Sequence, residues 1–167
     1  MEYSIREVAK IIGSKSNLLR EDTITMLLTD SRTVSFPEQS LFFALRTKTN
    51  DGHKYIPELY KLRVRNFVVS EMPPSTDMYA DANFLLVVSP LKALQRLAER
   101  HREEYDLPII GVTGSNGKTV VKEWLYQLLS PSMHVTRSPR SYNSQVGVPL
   151  SVWLLNEHTQ VGVFEAG

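Results

Sequence analysis

The chain has no cysteine. Disulfides and thiolate zinc sites are therefore excluded, and a reducing compartment fits. Its four histidines are scattered without metal-ligand spacing. No apolar run approaches the roughly 20 residues of a membrane-spanning helix, so no membrane insertion is expected. The N-terminus, Met-Glu-Tyr-Ser-Ile-Arg-Glu, lacks the apolar core of a signal peptide, and we expect a cytoplasmic protein. Charge of neither sign dominates. Nineteen Lys and Arg against 18 Asp and Glu leave a formal net charge of +1. Bulk charge therefore implies no nucleic acid or other polyanion as partner. The 167 residues allow one or two small domains, against roughly 100–200 residues per domain.

What is present is concentrated in one run, Ile109-Ile-Gly-Val-Thr-Gly-Ser-Asn-Gly-Lys-Thr119. An apolar strand over 107–112 enters a loop of small residues, and Lys118-Thr119 opens a helix. Such a loop wraps a polyphosphate, because its backbone N–H groups point inward and the helix N-terminus adds partial positive charge. Gly114 and Gly117 permit the backbone angles that this wrapping needs. Lys118 would neutralise the β- and γ-phosphates, and Thr119 would offer its hydroxyl to Mg²⁺. The strict spacing G-x-x-x-x-G-K-[ST] fails by one residue, since Val112 stands where it requires glycine and Gly111 is one position early. The plain rival is a glycine turn between a strand and a helix.

Around this loop, apolar periodicity alternates between strand and helix. Ser4 and Glu7 form a capping box for a helix with Ile5, Val8, Ala9 and Ile12 on one face, stopped by Gly13. Strands are predicted over 23–29, 41–45, 66–70 and 84–88, with a helix over 53–62. A helix over 91–105 follows, ending in a solvated cluster His101-Arg102-Glu103-Glu104. After the loop, Val120, Val121, Trp124, Leu125, Leu128 and Leu129 form a broad apolar helix face. A strand over 133–136, a helix over 146–155 and a strand over 160–164 complete the chain. Trp124 and Trp153 read as packing residues. The alternation predicts an α/β fold: a small N-terminal α/β domain over 1–88, then the start of a phosphate-loop, parallel-sheet domain over 89–167. That second part supplies about three strands, whereas parallel nucleotide-binding sheets commonly have about 5–6. We therefore expect the chain to be a piece of a longer protein.

Several motifs together resemble the Mur ligase family. Gly111–Thr119 is similar to its phosphate loop, where the extra residue is normal. Thr29-Asp30-Ser31-Arg32, Leu41-Phe42-Phe43-Ala44-Leu45 and Asp51-Gly52-His53 resemble its N-terminal substrate domain, in the family's order. Lys118-Thr119-Val-Val-Lys122-Glu123 and Tyr142-Asn143-Ser-Gln-Val-Gly147-Val148-Pro149-Leu150 are most similar to the member that joins D-alanyl-D-alanine to UDP-N-acetylmuramoyl-tripeptide. Where the family often has Asn-x-Asn-Asn, this chain has Ser141-Tyr142-Asn143-Ser144, so only Asn143 is carried over.

The resemblance implies ATP-dependent amide-bond synthesis through an acyl phosphate, with ATP and Mg²⁺ required and a monomeric enzyme. The implied ATP-binding residues are Gly114, Ser115, Asn116, Gly117, Lys118 and Thr119, with Lys118 catalytic. The implied substrate contacts are Ser31, Arg32, His53 and Asn143, the first two toward the uridine diphosphate. Thr119 and, by family position, Glu165 would ligate Mg²⁺. Each has a plain rival. Asp30-Ser31-Arg32 is also an Asx-capped turn, His53 a helix start, Asn143 a helix cap and Glu165 a solvated strand end; Arg46 reads as an ordinary surface residue. Three other functions stay open: a sister ligase adding the third amino acid, a non-catalytic UDP-sugar or nucleotide-binding module, and a folate-polyglutamate ligase. The last shares the loop but lacks the Asp-Ser-Arg and Asp-Gly-His segments. The residues implied for the rest of the central domain and for a third domain are absent, so the chain alone is expected to be inactive.

Overall fold

The computed structural model describes residues 2–167. They form nine strands and five helices: β1 (Tyr3–Ser4), α1 (Ile5–Ile12), β2 (Thr23–Ile24), β3 (Met26–Leu28), β4 (Ser40–Phe43), α2 (Ile56–Lys61), β5 (Asn66–Val69), β6 (Asn83–Leu86), α3 (Pro90–Glu103), β7 (Ile109–Val112), α4 (Lys118–Leu129), β8 (Val135–Arg137), α5 (Gly147–Val152) and β9 (Val161–Glu165). The fold is mixed α/β with parallel sheets, as the alternation predicted. Two compact units divide within α3, between Arg96 and Leu97.

In the first unit the capping box starts α1 where it was read. Ser4 Oγ accepts from the Glu7 N–H, and Glu7 accepts from the Ser4 N–H at 2.9 Å. Gly13 ends the helix with φ of 75°. The strand expected over 23–29 is instead two strands in two sheets. β2 pairs antiparallel with β1, and β3 is the edge of the parallel sheet β3-β4-β5-β6. Thr25 turns the chain between them, its N–H going to the Gln39 carbonyl at 3.0 Å and its hydroxyl to the Gln39 side chain at 2.9 Å. The helix expected from residue 53 starts at Ile56, because Asp51 caps a 3₁₀ turn over Gly52–Tyr55 first.

The parallel sheet is buried on both faces, which explains its continuous apolar runs. Phe42, Ile56, Leu59, Phe67, Val69 and Phe84 share one core cluster. Phe67 stacks on Phe84 at 5.3 Å, and Phe42 meets Phe67 edge-on at 6.4 Å. Leu41, Phe43, Val68 and Leu85, at the alternate positions, are also fully buried. At the sheet's other end, buried polar groups fix the register Asn66↔Asn83. Asn83 accepts from the N–H groups of Leu19 and Arg20 and donates to the Arg20 carbonyl and to Asn66. Asn66 in turn donates to Asp22.

In the second unit all three strands are parallel, in the order β7-β9-β8. The last strand in sequence is the middle one and is buried throughout, whereas edge strand β7 buries only Val112. Two expectations are corrected. His101 is 2% exposed rather than solvated. Its ring lies 4.5 Å from that of Trp153, and Nε2 donates to the Leu155 carbonyl at 3.0 Å. Burial pushes its pKa below the ordinary value. The apolar face of α4 is open, with Trp124 at 62% and Leu128 at 75% exposure. Three strands offer this helix one narrow contact line, and the single buried residue on it is Lys122. Trp153 is buried as read; Trp124 is not.

Asn83→Ala orphans the Leu19 and Arg20 N–H groups inside the fold. A buried donor left unpaired costs about 1–3 kcal/mol, so we expect a loss of at least about 2 kcal/mol for the two together. Urea denaturation should show it as a lower midpoint with unchanged slope.

Candidate functional site

Both sets of candidate residues sit at the carboxyl ends of parallel strands, where open α/β sheets bind ligands. In the first unit, Ser31–Thr33 form a 3₁₀ turn after β3, capped by Asp30. The Arg32 N–H and guanidinium both donate to Asp30, Nη2 at 2.6 Å. Those bonds hold the Asp30 carboxyl down to about 2 from 3.8. The Asx-capped turn is thus real, and Ser31 and Arg32 are displayed on it. After β4, Arg46 is exposed, as read, and is held in two ion pairs. It donates to Asp51 at 2.7 Å and pairs with Glu71, which follows β5.

His53 joins these loops. Its Nε2 accepts from the Ser70 N–H at 3.1 Å, which leaves the proton on Nδ1, 2.6 Å from Asp51. Burial pushes the Asp51 carboxyl up, but the His53 N–H, Arg46 and the His53 ring hold it well below the usual carboxylate range. Both ring nitrogens are therefore occupied, and His53 braces the loops here. Asp51, His53 and Glu71 lie close enough to face a cation, yet Arg46 already neutralises the two carboxylates. A β-carbon on Gly52 would lie 2.8 Å from the Leu45 nitrogen, so the Asp51-Gly52-His53 turn hugs β4's exit.

In the second unit the loop Thr113–Gly117 joins β7 to α4. Gly114 and Gly117 take positive φ, 139° and 78°, as the loop reading required. Lys118 folds back, its Nζ donating to the Gly114 carbonyl at 2.7 Å. Ser115 and Asn116 are exposed at the loop tip. The register pairs Val112 with Glu165, so β9 ends beside the loop. Glu165 is 2% exposed, not a solvated strand end. Thr119 Oγ1 donates to Glu165 Oε2 at 2.9 Å, and Asn143 Nδ2 donates to Oε1 at 2.9 Å. Asn143 thus does not cap α5. The structure brings Lys118, Thr119, Asn143 and Glu165 to one loop.

The donor set fits a magnesium ion. A hydroxyl and a carboxylate are hard oxygens, and such ions bind one or two carboxylates beside substrate phosphates.

The sequence motifs include Lys122 and Ser141 without a role for either, and Ser138 lies outside them. Lys122 is fully buried. Its Nζ donates to the Ser138 carbonyl at 2.9 Å and to the Arg140 carbonyl, and lies 3.2 Å from Glu123 and 4.0 Å from Glu165. Burial pushes this ammonium's pKa down while Glu165 raises it. The available signal was spacing: Lys122 is three residues from Thr119 and four from Lys118, hence on the same helix face.

A parallel sheet whose first strand runs through a glycine loop into a helix N-terminus defines an α/β class of protein. Within that class, residues 112–167 match the Mur ligase middle domain, and residues 23–102 match the Mur ligase family, catalytic domain. The chain belongs to the Mur ligase family. It is 29% identical over its whole length to UDP-N-acetylmuramoyl-tripeptide–D-alanyl-D-alanine ligase of Bacillus subtilis, of which it covers 36%. Among solved structures, MurF of Acinetobacter baumannii matches the whole chain with a TM-score of 0.88 at 25% identity, over 36% of its own length. The MurF ligase of Thermotoga maritima in complex with ADP matches 84% of the chain at 28% identity and a TM-score of 0.70, over 31% of its length. The chain thus spans about a third of the length of these relatives.

A depressed carboxyl pKa stabilises the folded turn above the ordinary value, and that contribution fades as pH falls through the folded one. The Asp30 contribution is therefore complete above 3.8 and lost toward pH 2. In Arg32→Ala the Asp30 midpoint should rise toward 3.8, stopping short because the residue-32 N–H still donates. Carboxyl ¹³C shifts across an acid titration measure it; an unmoved midpoint would refute the pairing.

Proposed function

We propose that this chain is the N-terminal part of an ATP-dependent ligase that joins D-alanyl-D-alanine to UDP-N-acetylmuramoyl-tripeptide. The observation that carries the reading is the convergence of Thr119, Asn143 and Glu165 at the mouth of a glycine loop that opens α4. The names of the relatives, one of them holding ADP, support the particular ligase.

A carboxylate is a poor electrophile. Transfer of the ATP γ-phosphoryl group to the tripeptide's terminal carboxylate makes an acyl phosphate and releases ADP. The D-alanyl-D-alanine amine attacks the acyl carbon, the amide forms, a proton leaves the nitrogen, and phosphate departs. Two anions must approach each other in the first step, so positive charge between them lowers its barrier. Lys118 would leave the Gly114 carbonyl to sit between the β- and γ-phosphates. The loop N–H groups from Gly114 to Thr119 would hold the phosphate chain. Thr119 and Glu165 would hold Mg²⁺, which when bound adds charge neutralisation at the phosphates. Asn143 would orient Glu165 and face the substrate.

In this reading residues 1–88 carry the UDP-substrate surface, with Ser31 and Arg32 on their turn and His53 bracing it. Residues 89–167 begin the ATP-binding domain. The enzyme works in the cytoplasm as a monomer, and the 167-residue chain alone does not turn over.

In the full-length enzyme, Lys118→Ala should lower turnover by roughly 10²–10³, the worth of one preorganised donor. Thr119→Ala removes a metal ligand rather than a charge, so raised Mg²⁺ should partly restore it and leave Lys118→Ala slow. Steady-state assays across a Mg²⁺ series separate the two. Near-normal turnover of Lys118→Ala would show that this loop does not hold the transferred phosphate.

A further inference from the structure

Lys122 is the one buried residue of α4, and no step above uses it. An ammonium carries three N–H donors and no acceptor, and a buried one must place all three. Here two of them donate to the Ser138 and Arg140 carbonyls, and the ammonium forms an ion pair with Glu123 at 3.2 Å. Glu165 lies 4.0 Å away, beyond hydrogen-bond reach. The carbonyl partners belong to a turn with its own strain. Arg140 takes φ of +49°, a left-handed conformation uncommon for a side-chain-bearing residue. The same turn reaches the phosphate site three times. Ser138 Oγ accepts from the Glu165 N–H at 3.0 Å, Ser141 Oγ lies 3.4 Å from Thr119 Oγ1, and Asn143 donates to Glu165.

We propose that Lys122 is a positioning residue: it clamps the 138–143 turn to the foot of α4 and so fixes Asn143 and Glu165 opposite Thr119. This rests on the phosphate-site reading above. Lys122 touches no phosphate. It acts through Ser138 and Arg140 on the groups that would hold Mg²⁺. Loss of the clamp should therefore weaken the magnesium-dependent part of nucleotide binding and spare the part made by the loop N–H groups.

The 167-residue chain can be titrated with fluorescent N-methylanthraniloyl-ADP, with and without Mg²⁺. Removing a group that orients a metal ligand typically weakens metal affinity by about 10–100-fold. Lys122→Met should shift the Mg²⁺ midpoint upward by that factor and leave ADP affinity without Mg²⁺ unchanged. Equal loss in both conditions would mean a merely structural role and overturn the proposal, as would a wild-type midpoint. Where Lys122→Met does not fold, the wild-type chain decides. Its Lys122 ¹⁵Nζ resonance should shift when Mg²⁺ joins bound ADP; an unmoved resonance overturns the proposal. Failure of the wild-type chain to bind ADP at all would remove the phosphate-site reading and this inference together.

Discussion

A carboxylate taken out of water must be paired, and Glu165 is the acid on which the second unit turns. Its position is fixed by β9, the middle strand. Its two oxygens then dictate what surrounds them: a hydroxyl from the first turn of α4, an amide from the loop before α5, and an ammonium one turn deeper in α4. Two of those groups arrive on α4 and the third on the loop before α5. The carboxylate is thus the point at which helix, loop and strand agree on one geometry, assembled from parts that are far apart in sequence.

The first unit solves a different problem with neutral means. Its sheet is apolar on both faces, so specificity of register comes from the asparagines at one end. At the other end the loops are laced by Asp30–Arg32, Arg46–Asp51–Glu71 and the two-sided grip of His53. Those contacts shape loops over a rigid sheet. Exposed ion pairs of this sort add little stability; what they do here is hold the loops in place, and the Asp30–Arg32 pair fixes the Ser31–Thr33 turn.

Much of this was legible in the residues because local rules and tertiary structure agree. The capping box of α1, the buried strands and the glycine loop each obey a rule of a few residues' range. The failures have tertiary causes. Nothing local marks Thr25 as the point where one strand becomes two; that depends on Gln39. His101 sits in a charged run, yet its side of the helix meets Trp153 and Leu155, more than 50 residues later in the chain. Trp124 has the right helical spacing for burial, but three strands do not reach it among the described residues. Lys122 stands in a motif, but its role was hidden for the opposite reason: a lysine in a helix reads as solvated, and only the fold reveals two carbonyls waiting for it.

The strand order β7-β9-β8 has a temporal side. Among the described strands β9 lies between β7 and β8 and follows both in sequence, so neither can pair with it until residues 161–165 exist. A chain emerging from the ribosome carries the glycine loop and α4 for some 40 further residues before the sheet beneath them can close. Parallel pairing over such separations bears the loop-closure entropy before any contact rewards it. The glycine loop is therefore written early and shaped late, and a cut anywhere before β9 removes the strand to which both β7 and β8 pair.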